Sequence, residues 1–179
     1  IKSDTLFFSR QTNESDLDAF RFLYPLANPV LIRKMEGAEA DLEKLSCISG
    51  AIQRGTADQS LYTTHIGTAA REDLITYVAD FLLQVEEISW VVVSGIVHGN
   101  VVISVRNLDE SRNAGEFVKN HFADIGSAGG HRVMAKAVAP LTRFREKFGS
   151  SEPDRIHAVT RLLADRFLQA KKETKKLQG

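Results

Sequence analysis

The spacing of apolar residues divides the chain into two parts. Up to about residue 53, apolar residues recur at three- and four-residue spacing after one short apolar run, which predicts amphipathic helices. From residue 61 onwards, runs rich in Val and Ile alternate with segments of helical period, which is typical of an α/β domain. The small, polar stretch GTADQS at residues 55–60 lies between the two parts, and we predict a domain boundary there.

The first part is predicted to be helical after a short strand at residues 1–8. Ser15 and Asp18 have the spacing of a capping box, which predicts a helix start. Asn28 followed by Pro29 is typical of an N-cap and first helical residue. The predicted helices cover about 15–26, 28–35 and 38–53.

The second part is predicted to contain strands and helices in alternation. A nearly continuous apolar run before the turn at residues 98–100 predicts a buried strand joined to its partner by a hairpin. Thr68 is placed to cap one helix, and Ser111 or Asn113 to cap another. The predicted strands cover about 61–66, 88–97, 101–106 and 133–140, and the helices about 70–85, 113–122 and from 151 onwards. Residues 133–140 would also suit a helix, because Ala135-Lys136-Ala137 favours one.

These elements predict an α/β fold for residues 56–179, with a mixed β-sheet of about five strands flanked by helices. The segment GSAGGHR at residues 126–132 is predicted to be a loop within it. Its glycines allow close backbone approach, and His131 and Arg132 follow them directly, which favours a phosphate or carboxylate site. The alternative is an ordinary loop with both side chains in solvent. Arg106, at the exit of a predicted strand, is expected to face the same crevice.

Composition excludes several classes of protein. The chain has 179 residues, and its 43% hydrophobic and 26% charged residues are typical of a folded domain. Its single cysteine, Cys47, excludes an intrachain disulfide and a cysteine-based metal cluster, and we expect a cytoplasmic protein. No apolar run reaches the 18 residues that a membrane-spanning helix needs. Because the sequence begins with Ile1, we expect that an earlier part is missing.

The charge is zero overall but unevenly distributed. Residues 131–179 contain 12 Lys and Arg against 5 Asp and Glu, which leaves 11 against 18 of the 23 of each in residues 1–130. The rear part therefore carries +7 and the front part −7. This asymmetry favours an anionic partner for the rear part, whereas for the Lys-rich tail itself we favour a solvated helix face.

Three motifs resemble the rear part of DHH phosphoesterases. The first residues, IKSDT at 1–5, are similar to the G-I-K-T-D-T stretch of that family. Ser104-Val105-Arg106, followed one helix later by the 126–132 segment, is similar to the DHH-associated domain. Ser127 and Ala128 stand where the family more often has glycines. The H-x-x-x-D-x-D stretch and the Asp-His-His of the front domain do not occur in this sequence.

The resemblance implies that residues 1–55 are a helical remnant of the catalytic domain plus linker, and that residues 56–179 are the substrate-binding domain. It implies two Mn²⁺ or Mg²⁺ ions in the complete protein, with Asp4 as one metal ligand. It implies substrate binding by Arg106, Gly129, Gly130 and His131. Arg132 is added because of its position beside His131.

The predicted function is the substrate-binding portion of a metal-dependent phosphoesterase that acts on short oligonucleotides or nucleotide phosphoesters. We expect the chain alone to be inactive, because most metal ligands of the family are missing from it. Two alternatives stay open: a non-catalytic nucleic-acid-binding module, and a purely structural or dimerising domain.

Overall fold

The structure is a computed structural model that describes residues 13–28, 30–31 and 41–176, with the side chains omitted in 171–176. The chain forms two compact units, residues 1–41 and 42–179. The predicted strand at residues 1–8, the end of the second predicted helix and the start of the third lie outside the described residues. No helix in the described part is long and apolar enough to cross a lipid bilayer.

The first unit contains helix α1, Glu14–Leu23, followed by a 3₁₀ turn, Tyr24–Leu26. Its capping box uses Asn13 and Asp16, so the prediction at Ser15 and Asp18 is wrong by two residues. Asn13 Oδ1 accepts a hydrogen bond from the Asp16 N–H at 3.0 Å, and Asp16 Oδ2 accepts one from the Asn13 N–H at 3.1 Å. Asn combined with an acidic residue at N3 satisfies two orphan N–H groups of the helix end.

The predicted cap at Asn28 is confirmed. Its Oδ1 atom accepts hydrogen bonds from the backbone N–H groups of Val30 and Leu31, at 3.0 and 3.2 Å. Both residues are helical, so the chain turns into a new helix where the sequence predicts it.

The second unit is built on a six-stranded mixed sheet. The strands are β1 Thr56–Asp58, β2 Leu61–Thr68, β3 Trp90–Val97, β4 Asn100–Asn107, β5 Ser127–Gly130 and β6 Met134–Pro140. Their order across the sheet is β1-β2-β3-β4-β6-β5. The β2–β3 pair is parallel, and the other neighbours are antiparallel.

Helices cover both faces of this sheet. They are α2 Leu42–Arg54, α3 Glu72–Leu82, α4 Ala114–Phe122, α5 Leu141–Phe148 and α6 Pro153–Lys176. Helices α2 and α3 share one core with the sheet, and α4, α5 and α6 share the core on the other face. Strand β3 is buried on both faces, which explains its nearly continuous apolar sequence.

An aromatic cluster fills the core beneath α4 and α6. The Trp90 and Phe117 rings meet edge-to-face, with centroids 6.0 Å apart and planes at 88°. Phe167 of α6 packs against Phe117 at 5.4 Å. Edge-to-face packing brings the positive ring edge to the negative ring face, and it adds to the stabilisation from burial.

The predicted α/β fold is confirmed, with corrections to individual elements. The segment at residues 127–130 is edge strand β5 and not a loop, and β1 is a second short strand that the apolar pattern did not predict. Residues 134–140 form a strand, which settles the open alternative. Thr68 ends β2, and α3 begins after Arg71 without a side-chain cap. Of the two proposed caps for α4, Asn113 is the one used, at 3.1 Å from the Glu116 N–H.

The predicted boundary at residues 55–60 does not coincide with the division into compact units, because α2 belongs to the second unit. Helix α2 packs against α3 and β2 there, with Ile48 and Ala51 buried. The assignment of residues 1–55 and 56–179 to different functional domains stays a prediction.

Candidate functional site

Arg106 lies near the end of β4 on the face that α3 covers, and its side chain is almost entirely buried. Its guanidinium forms a two-point ion pair with Asp80 of α3, with Nε 2.6 Å from Oδ1 and Nη2 3.2 Å from Oδ2. Nη1 donates to Ser104 Oγ at 3.2 Å and to the Val105 carbonyl at 3.1 Å. A guanidinium has five N–H donors. Most of the hydrogen-bonding capacity of Arg106 is therefore used within the protein.

The three glycines of the segment have different structural roles. A Cβ atom on Gly126 would overlap the Val138 carbonyl oxygen, and one on Gly130 would overlap β6 backbone. Gly130 also has φ of +149°, a conformation that disfavours other residues. A Cβ on Gly129 would meet nothing within 4 Å. Packing therefore requires glycine at 126 and 130, whereas Gly129 leaves open space above a partly exposed backbone.

His131 and Arg132 have exposed side chains on a firmly held backbone. The His131 N–H donates to the Met134 carbonyl at 2.8 Å, and the His131 carbonyl accepts from the Gly115 N–H at 3.0 Å. The Arg132 carbonyl accepts from the Ala114 N–H at 2.9 Å, while its guanidinium donates to the Glu110 carbonyl. The backbone of His131 and Arg132, which follows the glycines, is thus fixed between β6 and the first turn of α4.

The sheet brings Arg106 and His131 into one row. Arg106 is opposite Met134 in the β4–β6 pairing, and the hydrogen bond from His131 to Met134 continues the pairing of β6 with β5. Two strand spacings separate the two backbones, which is about 10 Å. Gly129 lies opposite Lys136, one step further along the strands. The predicted substrate-binding residues therefore cluster at one end of β4, β5 and β6.

Asn107 is a buried residue whose hydrogen bonds beside the candidate site were not predicted from the sequence. Its buried side-chain amide donates to the carbonyls of Asp109, Arg112 and Arg132, at 2.9, 3.2 and 3.0 Å. Its Oδ1 atom accepts from the Asp109 N–H at 2.7 Å. Asn107 thereby ties the exit of β4 to the residue after His131. The signal in the sequence was an Asn directly after a strand with Asp two residues on, which is typical of an Asx turn.

The described residues do not fit a metal centre. No three His, Cys, Asp or Glu side chains come together among them in an arrangement that could hold an ion. Asp4, the metal ligand predicted by the resemblance, lies outside the described residues.

No family model matches the chain. An uncharacterized protein of Methanocaldococcus jannaschii is 31% identical over 146 residues, which are 81% of this chain and 30% of that protein. An exopolyphosphatase-related protein of Bacteroides fragilis has a similar structure, with a TM-score of 0.64 and 10% identity over 95% of this chain and 49% of that one. RecJ of Thermus thermophilus aligns at a TM-score of 0.46 and 13% identity, over 88% and 22% of the two chains.

The chain has the fold of the exopolyphosphatase-related protein, which matches it over nearly its whole length. The chain spans 49% of that protein and 30% of the archaeal relative. Because the chain matches only part of each of these proteins, the similarity does not show that it has their activities.

Proposed function

We propose that this chain is the substrate-binding portion of a metal-dependent phosphoesterase that hydrolyses short oligonucleotides or nucleotide phosphoesters. The observation that supports this proposal best is the clustering of His131, Arg106 and the open backbone at Gly129 at one end of three neighbouring strands. A phosphate group accepts charge-assisted hydrogen bonds from side chains and approaches backbone closely where no Cβ intervenes.

The residues have different parts in this proposal. His131 is exposed and is the first candidate for direct contact with a phosphate oxygen. Gly129 provides the space that the phosphate occupies. Arg132 contributes positive charge beside it, with one N–H already used by the Glu110 carbonyl. Arg106 is a positioning residue, because its guanidinium is buried and paired with Asp80.

The resemblance implies Mn²⁺ or Mg²⁺ as the divalent ions of the reaction. We place these ions in the front part of a complete protein. Asp4 is this chain's own candidate ligand. Because the described residues hold no cluster for an ion, the role of this chain is confined to binding and orienting the substrate.

A non-catalytic nucleic-acid-binding module is the second candidate, and the excess of seven positive charges in residues 131–179 favours it. Salt dependence separates the two candidates, because each phosphate contact with a single strand adds about −0.7 to the slope of log K against log salt. A pocket for one or two phosphates gives a shallow slope. A surface that follows a long strand gives a steep one.

The proposal is tested by titrating 5′-phosphorylated diadenylate into the wild type and into His131→Asn and His98→Asn. His98 is the matched control, because it is exposed in the turn between β3 and β4, at the far end of β4 from Arg106. Asn is tolerated at its φ of +46°. We expect His131→Asn to weaken binding about tenfold, as loss of one charge-assisted hydrogen bond predicts, and His98→Asn to bind like the wild type. No binding by the wild type at millimolar nucleotide, or equal affinity of all three proteins, would contradict the proposal.

A further inference from the structure

Two basic side chains on one face of the sheet are each paired with a carboxylate of helix α3. Arg106 of β4 is paired with Asp80, as described above. Lys136 of β6 is paired with Glu72, through Nζ and Oε2. Helix α3 therefore pairs with Arg106 near its C-terminal end and with Lys136 at its N-terminal end.

Lys136 lies beside the open space at Gly129. In the β5–β6 pairing the two residues are directly opposite each other, so they share a face of the sheet. Lys136 is also opposite Ser104 in the β4–β6 pairing, which places it diagonally across from Arg106. Helix α3 packs against β3 and β4, whereas α4 packs against β5 and β6 on the other face. The surface around Lys136 and Gly129 therefore lies next to the part of the sheet that α3 covers.

The two ion pairs differ in how easily a ligand replaces the carboxylate. The Arg106 side chain is 8% exposed and makes a two-point pair, with further bonds to Ser104 Oγ and the Val105 carbonyl. The Lys136 and Glu72 side chains are 46% and 44% exposed, and a single ammonium–carboxylate contact joins them. Exposed pairs of this kind contribute little to stability, and a phosphate carries more negative charge than a carboxylate. Lys136 is therefore the exchangeable cation, and Arg106 the fixed one.

We propose that Lys136 is a direct phosphate-binding residue of this site and that Glu72 holds it in the absence of ligand. This inference rests on the proposed function, since the ligand is the phosphate of the same nucleotide or oligonucleotide. On binding, the phosphate takes the space over Gly129, and the Lys136 ammonium exchanges its Glu72 partner for a phosphate oxygen. Glu72 then faces solvent. Helix α3 competes with the substrate and lowers the affinity of the free protein.

The experiment titrates 5′-phosphorylated diadenylate into Lys136→Met, Glu72→Gln and the double variant, with thermal unfolding of each protein recorded. We expect Lys136→Met to weaken binding about tenfold or more, the loss expected for one charge-assisted hydrogen bond. Glu72→Gln is expected to strengthen binding about two- to fivefold, because it removes a competing exposed ion pair. In the double variant, the gain from Glu72→Gln is expected to disappear.

Two matched controls remove effects of net charge. Lys119→Met removes an exposed Lys on α4, which packs on the other face of the sheet, and Glu86→Gln removes an exposed carboxylate just after α3. Both should bind like the wild type. Wild-type affinity in Lys136→Met, or an equal gain from Glu72→Gln with and without Lys136, overturns the inference. If binding depends on His131 but not on Lys136, the proposed function stands and only this inference falls. If the wild type does not bind, both fall.

Discussion

Gly115 of α4 packs directly against the carbonyl group of Gly130 in β5. A Cβ atom on Gly115 would lie 2.6 Å from that carbonyl oxygen, closer than real side-chain contacts allow. The Gly115 N–H donates to the neighbouring carbonyl of His131 at 3.0 Å. Glycine thus serves here to bring a helix against an edge strand, and not only to make room for a ligand.

The packing around the glycines at positions 126, 129 and 130 predicts that they respond differently to substitution. Gly126→Ala and Gly130→Ala should lower the free energy of unfolding by about 1–3 kcal/mol, the usual cost of overpacking. Gly129→Ala should change it by less than about 0.5 kcal/mol, as is usual for a surface change. In the proposed site, Gly129→Ala should nevertheless weaken nucleotide binding, because the methyl group enters the phosphate space.

Urea unfolding and nucleotide titration of the three variants test this pattern. A large loss of stability in Gly129→Ala, or none in Gly130→Ala, would be inconsistent with the packing described. Unchanged nucleotide affinity in a stable Gly129→Ala protein would mean that the open space is not part of the site.

Replacing Asp80 should destabilise the protein by more than the loss of an exposed ion pair usually does. Asp80→Ala leaves the buried Arg106 guanidinium without its carboxylate, and unpaired buried charge is costly. Since the Asp80 side chain is 41% exposed, water compensates part of this cost, and we expect a loss of about 1–2 kcal/mol. Arg106→Met combined with Asp80→Ala should lose less than the sum of the single changes. A double-mutant cycle by urea unfolding measures the coupling, and strictly additive losses would argue against the pair.

The stability should depend on pH through His65. Burial, reinforced by the nearby His157 and Arg54, lowers the pKa of His65 from 6.5 to about 4. His65 Nδ1 and Ser94 Oγ share a hydrogen bond at 2.9 Å, and the Ser94 hydroxyl also lies 3.3 Å from the Thr64 carbonyl. The Nε2 atom of His65 is buried and without a hydrogen-bond partner among the described residues. A second proton on this ring would therefore create a buried charge.

The sign of the effect follows from these pKa values. Between about pH 6.5 and 4 the unfolded chain binds a proton at His65 and the folded chain does not, so the free energy of unfolding falls as the pH falls. The full loss is about 3 kcal/mol at a pH below both values. Urea unfolding from pH 7 to 4 follows most of this loss, and His65→Gln is expected to flatten the slope. An identical slope in His65→Gln would assign the pH dependence to other groups.

The purified chain with Mn²⁺ should show no hydrolysis of 5′-phosphorylated diadenylate above background. The reason is the number of ligands, because Asp4 is the one residue here that matches a metal ligand of the family, and a binuclear centre needs several carboxylate or imidazole groups. Product formation is measured by chromatography with Mn²⁺, with Mg²⁺ and with a chelator. Turnover that the chelator and Asp4→Asn both abolish would show that this chain builds a metal site of its own.

The sequence predicted the elements whose signal is local. The apolar run of β3 and the cap at Asn28 are examples, because each depends on neighbouring residues alone. Strand β5 was missed because its Gly-rich sequence has no apolar alternation, and it becomes a strand only through pairing with β6. The local capping signal was ambiguous at α1, where Asn13 and Ser15 both suit an N-cap.

The candidate site was only partly predictable for the same reason. His131 and the glycines were found because they are adjacent in the chain and resemble a family motif. The pairing of Lys136 with Glu72 joins residues 64 positions apart, and Arg106 meets Asp80 from 26 positions away. Such contacts depend on where α3 crosses the sheet, and no spacing in the sequence specifies that crossing.

The lengths of the strands affect how copies of the protein meet one another. The two strands at the ends of the sheet, β1 and β5, have three and four residues, whereas the four between them have seven or eight. A short terminal strand offers few unpaired backbone groups to a second molecule, which is one way in which natural sheets resist aggregation. Glycine in β5 weakens the template further. Self-association through a continuous intermolecular sheet is accordingly disfavoured.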